Sequence, residues 1–585
     1  MPAASRPCAP PAPHPLRDYA LLADGRRGAL LDPDGVLGWL CAPRWDSDAV
    51  LSSLIGGPGW FGLTPTGTYV PGGRYEDGGL VHRSRWVTRG GVVECREALA
   101  RPAEPHRVVL LRRVLAVDGP AELDVSLHLA AGFGTAPATG PERDAAGRWT
   151  LRTGPLHARL TGLPEARPER CGGLHAVLRV APGASYDLVL ELADRPLREA
   201  PPDPDRAWAA TGAAWAADVP PLDELAGLPG RRDARHAHAV LTGLTGPDGG
   251  TVAAATTSLP ERAEQGRNYD YRYVWIRDQA YIGQAVAARG PHPLLAGSAR
   301  FVTARLLTDG PRLAPAYTVD GGPVPDLRRL ELPGYPGGFD VAGNRVNRQF
   351  QLDGFGESLL LLAAAARHDQ LDADGHRAAR VAVEAIAARY READSGIWEI
   401  HPDHWTHSRL TCAAGLRAAA DALRRPDWLP LAERLTAAAL TDSLHSGGRW
   451  QRSPTDPAVD AALLLPALRG AVPPRARPSR ATLAAVLADL ADDHHCYRFR
   501  HAPGPLAEAE GAFLLCGFLV SLSHLAQGNL PEALRWYERN RAACGPPGLY
   551  AEEYDIAQRQ LRGNLPQAFV HALLLETATR LAPAL

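Results

Sequence analysis

The chain contains no lysine, and all 63 of its basic residues are arginines. This excludes mechanisms that depend on a lysine, such as Schiff-base formation or a lysine-containing phosphate loop. Neither sign of charge dominates, because 65 acidic residues leave a formal net charge of −2. We therefore expect neither nucleic acid nor an anionic membrane as the main partner.

Cysteine is also sparse, with eight residues that are dispersed and form no Cys-x-x-Cys pair. Several lie in apolar runs, as Cys516 does, so we expect reduced thiols within a core. The first twenty residues lack a charged segment followed by an apolar one, and no apolar run reaches the length of a membrane span. We therefore expect a cytoplasmic protein.

The first part of the chain has the periodicity of β-strands. Apolar and polar residues alternate along Leu123–Leu129, which predicts a half-buried strand. Valine- and leucine-rich runs bounded by turn residues predict further strands at 107–117 and 187–192. Turns are predicted at Pro33-Asp-Gly35 and Pro71-Gly-Gly73. These patterns favour an antiparallel β-sandwich.

The periodicity becomes helical from about residue 234. Gly528 is expected to end one helix, and Pro531 suits the first turn of the next. Paired helices with long loops between alternate pairs indicate a toroid whose loops carry the chemistry. The clearest predicted helices lie at 357–368, 375–390, 409–424, 481–490, 510–527 and 567–581.

A chain of 585 residues is long enough for two or three domains, each with its own core. The Pro/Asp-rich stretch 200–205, with a Trp/Ala-rich helix behind it, indicates a linker. We therefore expect a β-sandwich domain at 1–200, a linker with a helix at 201–233 and a helical catalytic domain at 234–585.

Asn268-Tyr-Asp-Tyr-Arg-Tyr-Val-Trp-Ile-Arg-Asp278 is the most unusual segment, because only 6% of the chain is aromatic. Aromatic faces stack on sugar rings, and Arg/Asp pairs hydrogen-bond neighbouring hydroxyl groups. A core segment would not need four charges so close together. The segment therefore predicts a carbohydrate pocket.

Two loops present carboxylates after a glycine turn: Ser395-Gly-Ile-Trp-Glu399 and Gly548-Leu-Tyr-Ala-Glu552-Glu553-Tyr-Asp555. Cleavage of a glycosidic bond needs one carboxyl that protonates the leaving oxygen and one carboxylate that activates water or attacks carbon. A glutamate beside Trp398 can be desolvated, which favours the protonated form that an acid requires. This spacing alone leaves an ordinary surface glutamate as the alternative.

Together these segments resemble glycoside hydrolase family 15, which contains glucoamylases, glucodextranases and bacterial trehalases. The similarity is colinear and extends over nearly the whole chain, including Asp34–Ser47 and Gln349–Glu357. Its most specific segments are 268–278, Gly396-Ile-Trp-Glu399, Thr406-His-Ser408, Glu510-Gly-Ala-Phe-Leu-Leu-Cys516, Ala551-Glu-Glu553 and Gly563-Asn-Leu-Pro-Gln-Ala-Phe569.

The resemblance implies an inverting, exo-acting α-glucosidase with an (α/α)6 barrel behind an N-terminal antiparallel β-sandwich. By position, Glu399 matches the general acid and Glu552 the general base, with neighbouring Glu553 as the competing base. The predicted sugar-binding residues are Trp275, Arg277, Asp278, Trp398, His407 and Glu553. A small carbohydrate is the expected partner, and no cofactor is expected. His401, His404 and His407 recur every third residue, but Pro402 interrupts them and their spacing is not that of a metal site.

Three positions depart from the family pattern, with Val341 and His401 standing where arginine is common and Arg409 where lysine is usual. They leave open whether the substrate is a short malto-oligosaccharide or trehalose, with isomaltosides less favoured. Two other classes also stay open, a disaccharide phosphorylase and a non-catalytic sugar-binding or biosynthetic protein on a hydrolase scaffold. Glu552 argues against the phosphorylase.

Overall fold

The computed structural model describes residues 9–169, 172–264, 266–501 and 505–585. Strands dominate the chain up to residue 193. They are β1 (Ala20–Ala23), β2 (Gly28–Leu31), β3 (Val36–Cys41), β4 (Ala49–Leu51), β5 (Trp60–Pro65), β6 (Tyr69–Tyr75), β7 (His82–Thr88), β8 (Gly91–Leu99), β9 (Arg107–Asp118), β10 (Ala121–His128), β11 (Ala130–Ala131), β12 (Ala136–Pro137), β13 (Thr139–Arg143), β14 (Trp149–Thr153), β15 (Leu156–Thr161), β16 (Arg167–Pro168), β17 (Leu174–Val180) and β18 (Ser185–Ala193).

These strands form two antiparallel sheets. One has the order β1-β2-β3-β5-β10-β17-β16, with β4 paired to β3, and the other has the order β13-β14-β15-β18-β9-β8-β7-β6. The sheets contact each other where β1 meets β7 and β8, and where β10 meets β8. Trp39, Trp45 and Trp60 are buried, as expected of residues that pack this region. The prediction of an N-terminal antiparallel sheet domain is confirmed.

The predicted strands at 107–117, 123–129 and 187–192 are confirmed as parts of β9, β10 and β18. The turn predicted at Pro33-Asp-Gly35 joins β2 to β3. The turn predicted at Pro71-Gly-Gly73 is wrong, because these residues lie within β6. Among the described residues this strand is the edge of its sheet and pairs with β7 alone, and an edge position tolerates a proline that cannot donate a hydrogen bond.

Helices dominate from residue 204 onward, and α1 begins where Asp203 caps the backbone N–H of Arg206. The helices are α1 (Pro204–Asp218), α2 (Arg231–Leu244), α3 (Ile276–Ala287), α4 (Pro293–Asp309), α5 (Asp353–Arg367), α6 (Ala373–Arg389), α7 (Thr406–Ala422), α8 (Leu429–Asp442), α9 (Leu465–Leu468), α10 (Arg477–Leu490), α11 (Leu514–Ala526), α12 (Leu530–Arg541) and α13 (Ala568–Leu581).

Contacts between alternate helices form a closed ring. They run from α3 to α5, α7, α9, α11 and α13, and α13 then packs against α3. Five other helices lie against this set, since α4 packs on α3, α6 on α5, α8 on α7, α12 on α11 and α2 on α13. The long side chains of α11 and α13 are therefore almost entirely buried. A helical domain following the sheet domain is confirmed.

The predicted helices agree with observed ones within a few residues, except at the start of 510–527. That prediction is wrong for its first four residues, because α11 begins at Leu514. Ala512 and Phe513 instead pair with Tyr554 and Glu553 in a short sheet. The predicted boundary at Gly528 and Pro531 is confirmed, since α11 ends at Ala526 and α12 begins at Leu530.

Short antiparallel strands shape the loops between the helices. They are β19 (Val274–Trp275), β20 (Ala316–Tyr317), β21 (Arg328–Arg329), β22 (Val341–Ala342), β23 (Ala491–Asp492), β24 (His495–Cys496), β25 (Ala512–Phe513), β26 (Glu553–Asp555) and β27 (Gln560–Arg562). Within the described ranges, none of the helices combines the length and apolar character of a membrane span. Cys516 is buried and unpaired, as predicted, whereas Cys8 and Cys171 lie outside the described residues.

Candidate active site

A cavity of about 860 Å³ lies among the loops of the helical domain. Its volume is within the range of small-molecule binding sites, which is about 300–1,000 Å³. Six of the eight residues predicted for the site line it: Trp275, Arg277, Asp278, Trp398, Glu399 and Glu552. Folding therefore brings together two carboxyl-bearing loops that are far apart in sequence.

The segment 268–278 forms one wall of the cavity. Tyr269 and Tyr271 line the cavity, as does Trp275. Between and beside the two tyrosines, Asp270 and Arg272 are buried and form an ion pair of 2.7 Å, and Arg272 donates to the backbone oxygen of Ser47 in the sheet domain at 2.5 Å. Side chains therefore alternate over residues 269–272, before the segment forms β19 and enters α3.

Glu399 is held by three nitrogen groups. The indole nitrogen of Trp275 donates to its Oε1 at 2.8 Å, and the amide nitrogen of Gln349 donates to its Oε2 at 3.4 Å. A guanidinium nitrogen of Arg277 lies 3.6 Å from Oε1. The side chain of Glu399 retains 24% of its exposure, so the predicted desolvation beside Trp398 is only partial.

Backbone strain marks the same loop. Glu399 has a φ of 54°, which is the left-handed region that few residues other than glycine adopt. Such conformations persist only where the surrounding structure enforces them, and they are frequent at functional sites. The loop is fixed on both sides, because Trp398 donates to Asp460 at 2.9 Å and its ring meets that of Phe513 edge-on at 5.6 Å.

Arg277 and Asp278 lie at the start of α3, next to the carboxylate of Glu399. Arg277 donates to the backbone oxygen of Ile397 at 2.9 Å and lies 3.8 Å from Asp278. Burial raises the pKa of Asp278 to about 7, and Arg277 offsets this shift in part. A carboxyl group with a near-neutral pKa can either donate to or accept from a hydroxyl group at neutral pH.

Glu552 lines the same cavity as Glu399 and contacts the segment 268–278 through Tyr271. Its residue is 5% exposed, and its Oε2 accepts from the hydroxyl of Tyr271 at 3.1 Å. Burial raises the pKa of Glu552 well above its usual value, the neighbouring carboxyl of Glu261 raises it further, and Arg498 lowers it. These surroundings disfavour the charged form of this glutamate relative to that of an exposed one.

Tyr271 and Trp275 connect the two carboxyl groups. Their rings meet edge-on with centroids 5.6 Å apart. Since Trp275 donates to Glu399 and Tyr271 donates to Glu552, the two glutamates lie at the ends of one continuous set of contacts. The two carboxyl groups therefore share one cavity but have different surroundings.

Two of the predicted residues do not line the cavity. His407 is buried in α7, where its Nε2 pairs with the hydroxyl of Thr411 at 3.1 Å, and burial lowers its pKa to about 3. Glu553 is buried in β26, and its Oε2 accepts from the backbone N–H of Gly511 at 2.8 Å. Either residue can affect a bound sugar only through its neighbours.

Only one of the three family departures lies at the cavity. Val341 lines it, and its backbone oxygen accepts from Thr257 at 2.7 Å. Arg409 forms a 2.9 Å ion pair with Asp442, and His401 lies against the ring of Trp405. Among the described residues, no group of three or more His, Cys, Asp or Glu side chains is arranged to hold a metal ion.

Several cavity residues were absent from the predicted site. Tyr271 and Gln349 belong to segments that the sequence had already marked, so an alternating pattern could have identified Tyr271. Asp340 is 6% exposed, and burial raises its pKa to about 7. Glu261 follows Ser258-Leu-Pro260, which contains no chemical signal. The cavity residues that the sequence did not predict include Glu261, Tyr271, Asp340, Gln349 and Arg498.

A helical domain that brings two glutamates to an aromatic-lined cavity is the arrangement of a glycoside hydrolase, and comparison with known proteins agrees. Residues 234–579 match the sequence family described as Glycosyl hydrolases family 15, and residues 10–144 match the family described as Trehalase-like, N-terminal. The chain belongs to glycosyl hydrolase family 15. The family predicted from the sequence is confirmed, and the protein is a glycoside hydrolase.

Full-length relatives carry the same description. The chain is 29% identical over 636 residues to a trehalase of Mycobacterium tuberculosis, covering 99% of this chain and 91% of the relative. It is 29% identical over 619 residues to a trehalase of Mycolicibacterium smegmatis, covering 97% and 92%. A bacterial glucoamylase solved in complex with acarbose has a similar fold, with a TM-score of 0.71 at 12% identity over 99% of this chain and 96% of that one.

Proposed function

We propose that the protein is an inverting, exo-acting α-glucosidase whose substrate is trehalose. The observation that carries this proposal is the pair Glu399 and Glu552, which line one cavity and are joined through Trp275 and Tyr271. Inverting glycosidases need two carboxyl groups on opposite faces of the sugar, one acting as acid and one as base.

In this proposal Glu399 is the general acid. It transfers its proton to the glycosidic oxygen as the bond from that oxygen to the anomeric carbon breaks, so that the second glucose leaves as a neutral alcohol. Trp275, Gln349 and Arg277 hold the carboxyl group in place. These three donors also stabilise the carboxylate that remains after the proton has left.

Glu552 is the general base. It removes a proton from a water molecule, whose oxygen attacks the anomeric carbon from the face opposite the leaving oxygen. One water is consumed, one glycosidic bond is broken, and the anomeric configuration is inverted. Tyr271 orients the Glu552 carboxylate through its hydroxyl group.

Arg277, Asp278 and Trp398 would hold the terminal glucose. Arg277 and Asp278 provide hydrogen-bonding groups next to the acid, and Trp398 provides an apolar face in the same wall. Precise placement of this sugar contributes to the rate by fixing the geometry of attack.

We extend the proposal to the architecture. The returning contacts of α3, α5, α7, α9, α11 and α13, with outer helices packed against them, support an (α/α)6 barrel. The two contacting sheets support a β-sandwich in front of it. We propose domain boundaries at 1–200 for the sandwich, 201–233 for the linker with its helix and 234–585 for the barrel. The position of α1 and the family match from residue 234 support them.

Trehalose is preferred over maltose because the relatives that align along almost the whole chain are trehalases. The test is a panel of trehalose, maltose and isomaltose, followed by ¹H NMR of the freshly released sugars. Inversion of trehalose gives one β-glucose and one α-glucose per molecule before mutarotation. Two α-anomers would contradict inversion, and faster turnover of maltose would contradict the substrate. Glucose 1-phosphate formed only with added phosphate would indicate a phosphorylase.

A further inference from the structure

A second buried carboxyl group lies beside the proposed base. Glu261 lines the cavity, and its residue is 3% exposed. The backbone N–H of Gly563 donates to the oxygen of Pro260 at 2.9 Å, which fixes Glu261 against the hairpin of β26 and β27. A methyl group added to Gly563 would lie 3.6 Å from Cγ of Glu261 and 3.7 Å from Cβ of Glu552. The two glutamates therefore flank the same glycine.

Tyr271 contacts both carboxyl groups. Its hydroxyl oxygen lies 3.3 Å from Oε1 of Glu261 and 3.1 Å from Oε2 of Glu552. A tyrosine hydroxyl has one proton, so it can donate to only one of these groups at a time. The other carboxyl group can form a hydrogen bond with the same hydroxyl oxygen only when it carries a proton of its own. The contacts of Tyr271 with both groups are therefore satisfied when one of the two glutamates is protonated.

The cations beside the pair bind a third carboxylate, that of Glu510. Arg498 and Arg267 both bind Glu510, at 3.1 and 3.2 Å, and His501 binds the same carboxylate at 2.7 Å. Burial alone would raise the pKa of Glu510, but Arg498 and His501 lower it to about 2. The charged and titratable groups that face the pair are Arg267, Tyr269, Tyr271, Arg498, Glu510 and Glu553, with His501 behind Glu510.

The pKa directions agree with this arrangement. Burial raises the pKa of Glu261, Arg498 lowers it, and Glu510 raises it. The pKa of Glu552 is raised well above its usual value by burial and then by Glu261. Two carboxyl groups that interact this closely titrate as a pair, with the second proton leaving at a higher pH than an isolated glutamate would lose it.

We propose that Glu261 is a positioning residue whose carboxyl group shares one proton with Glu552 and thereby sets the pH at which Glu552 becomes available as the base. The proposal rests on the function proposed above. Its consequence is a stronger base, because a carboxylate with a higher pKa removes a proton from water more effectively.

The test is the pH dependence of kcat/KM for the full-length wild type and for Glu261→Gln. A glutamine keeps the size of the side chain but cannot become charged. Glu552 then loses its proton at lower pH, so the acidic limb should move down by about one pH unit or more. The plateau should fall by about twofold to tenfold because the base is weaker. Glu261→Asp keeps the charge and should leave the limb near its wild-type position.

Asp555→Asn is the matched control. Asp555 lies on β26, two residues from Glu553, and pairs with Arg562 at 3.6 Å, but it does not line the cavity. This variant also removes a carboxylate from the hairpin and should leave the limb unmoved. An unmoved limb in Glu261→Gln, or an equal movement in Asp555→Asn, would overturn the proposal.

An infrared measurement tests the shared proton without catalysis. The carbonyl band of a protonated carboxyl group at neutral pH should be present in the wild type and weaker in both Glu261→Gln and Glu552→Gln. An unchanged band in Glu552→Gln would refute the sharing, even if Glu261→Gln did not fold. A wild type that cleaves no disaccharide would instead refute the proposed function, and the infrared result would still decide whether the proton is shared.

Discussion

The two proposed catalytic glutamates have opposite electrostatic surroundings. Glu399 is a quarter exposed and lies among the nitrogen groups of Trp275, Gln349 and Arg277. Glu552 is almost fully buried and lies beside another carboxyl group, that of Glu261. The donors on the first side stabilise a carboxylate after it has given up a proton, whereas the burial and negative neighbour on the second side make a carboxylate that takes one up.

We expect the largest losses of activity when either of the two carboxyl groups is removed. Glu399→Gln and Glu552→Gln should each lower kcat on trehalose by about 10²–10⁴-fold, the usual contribution of general acid or base catalysis. α-Glucosyl fluoride separates the two roles, because fluoride leaves without a proton. Glu399→Gln should retain most of its activity on this substrate, and Glu552→Gln should not. The reverse pattern in initial-rate assays would exchange the two assignments.

Tyr271→Phe removes the hydroxyl group that contacts both Glu261 and Glu552. A hydrogen bond to a charged group contributes about 1.5–3 kcal/mol, so kcat/KM should fall by roughly 10- to 100-fold. Tyr273→Phe is the matched control, since Tyr273 is buried in the same segment but does not line the cavity. Steady-state kinetics with equal losses in both variants would show that the effect comes from folding.

Arg277→Lys tests how Glu399 is held, while keeping the positive charge beside it. Lysine lacks the planar fork with which Arg277 reaches both Ile397 and Glu399, so one charged hydrogen bond is lost, and kcat/KM should fall about tenfold. Arg289→Lys, beyond the other end of α3, should leave the kinetics unchanged. A wild-type value for Arg277→Lys would mean that charge alone holds Glu399.

Asp340→Asn should have the smallest effect, and the effect should depend on pH. With a pKa of about 7, the carboxyl group is neutral below that pH and charged above it, whereas asparagine is neutral throughout. KM should therefore match the wild type near pH 6 and differ by about threefold near pH 8, which corresponds to one ordinary hydrogen bond. Asp326→Asn, exposed on the same loop, is the control. A pH-independent difference would contradict this reasoning.

Local patterns predicted the two-part fold well, because period-two and helical periodicities depend on which face of an element is buried. The strand at 123–129 and the helix at 375–390 are examples. The errors occurred where pairing partners distant in sequence override local preference. Ala512 and Phe513 are taken into a strand by the hairpin near residue 553, and Pro71 is accommodated by an edge that the sequence does not reveal.

The sequence predicted those cavity residues that belong to recognisable motifs. Glu399, Glu552 and Trp275 line the cavity as expected, although their roles stay predictions. Glu261 could not be predicted, because its significance arises only from its position beside Glu552, which is distant in sequence. The raised pKa of Glu552 was equally hidden, since it depends first on burial and then on the neighbouring carboxyl group of Glu261.

The segment 268–278 also connects the two domains. Arg272 extends from between Tyr271 and Tyr273 into the sheet domain, where Ser47 receives it, and Trp39 returns a hydrogen bond to Ala255. Heating should therefore melt both domains in a single transition, and a fragment lacking the sheets would leave one guanidinium nitrogen of Arg272 without its acceptors, although the ion pair with Asp270 would remain. Substitutions around Ser47 offer a route to tune turnover without altering any group that meets the substrate.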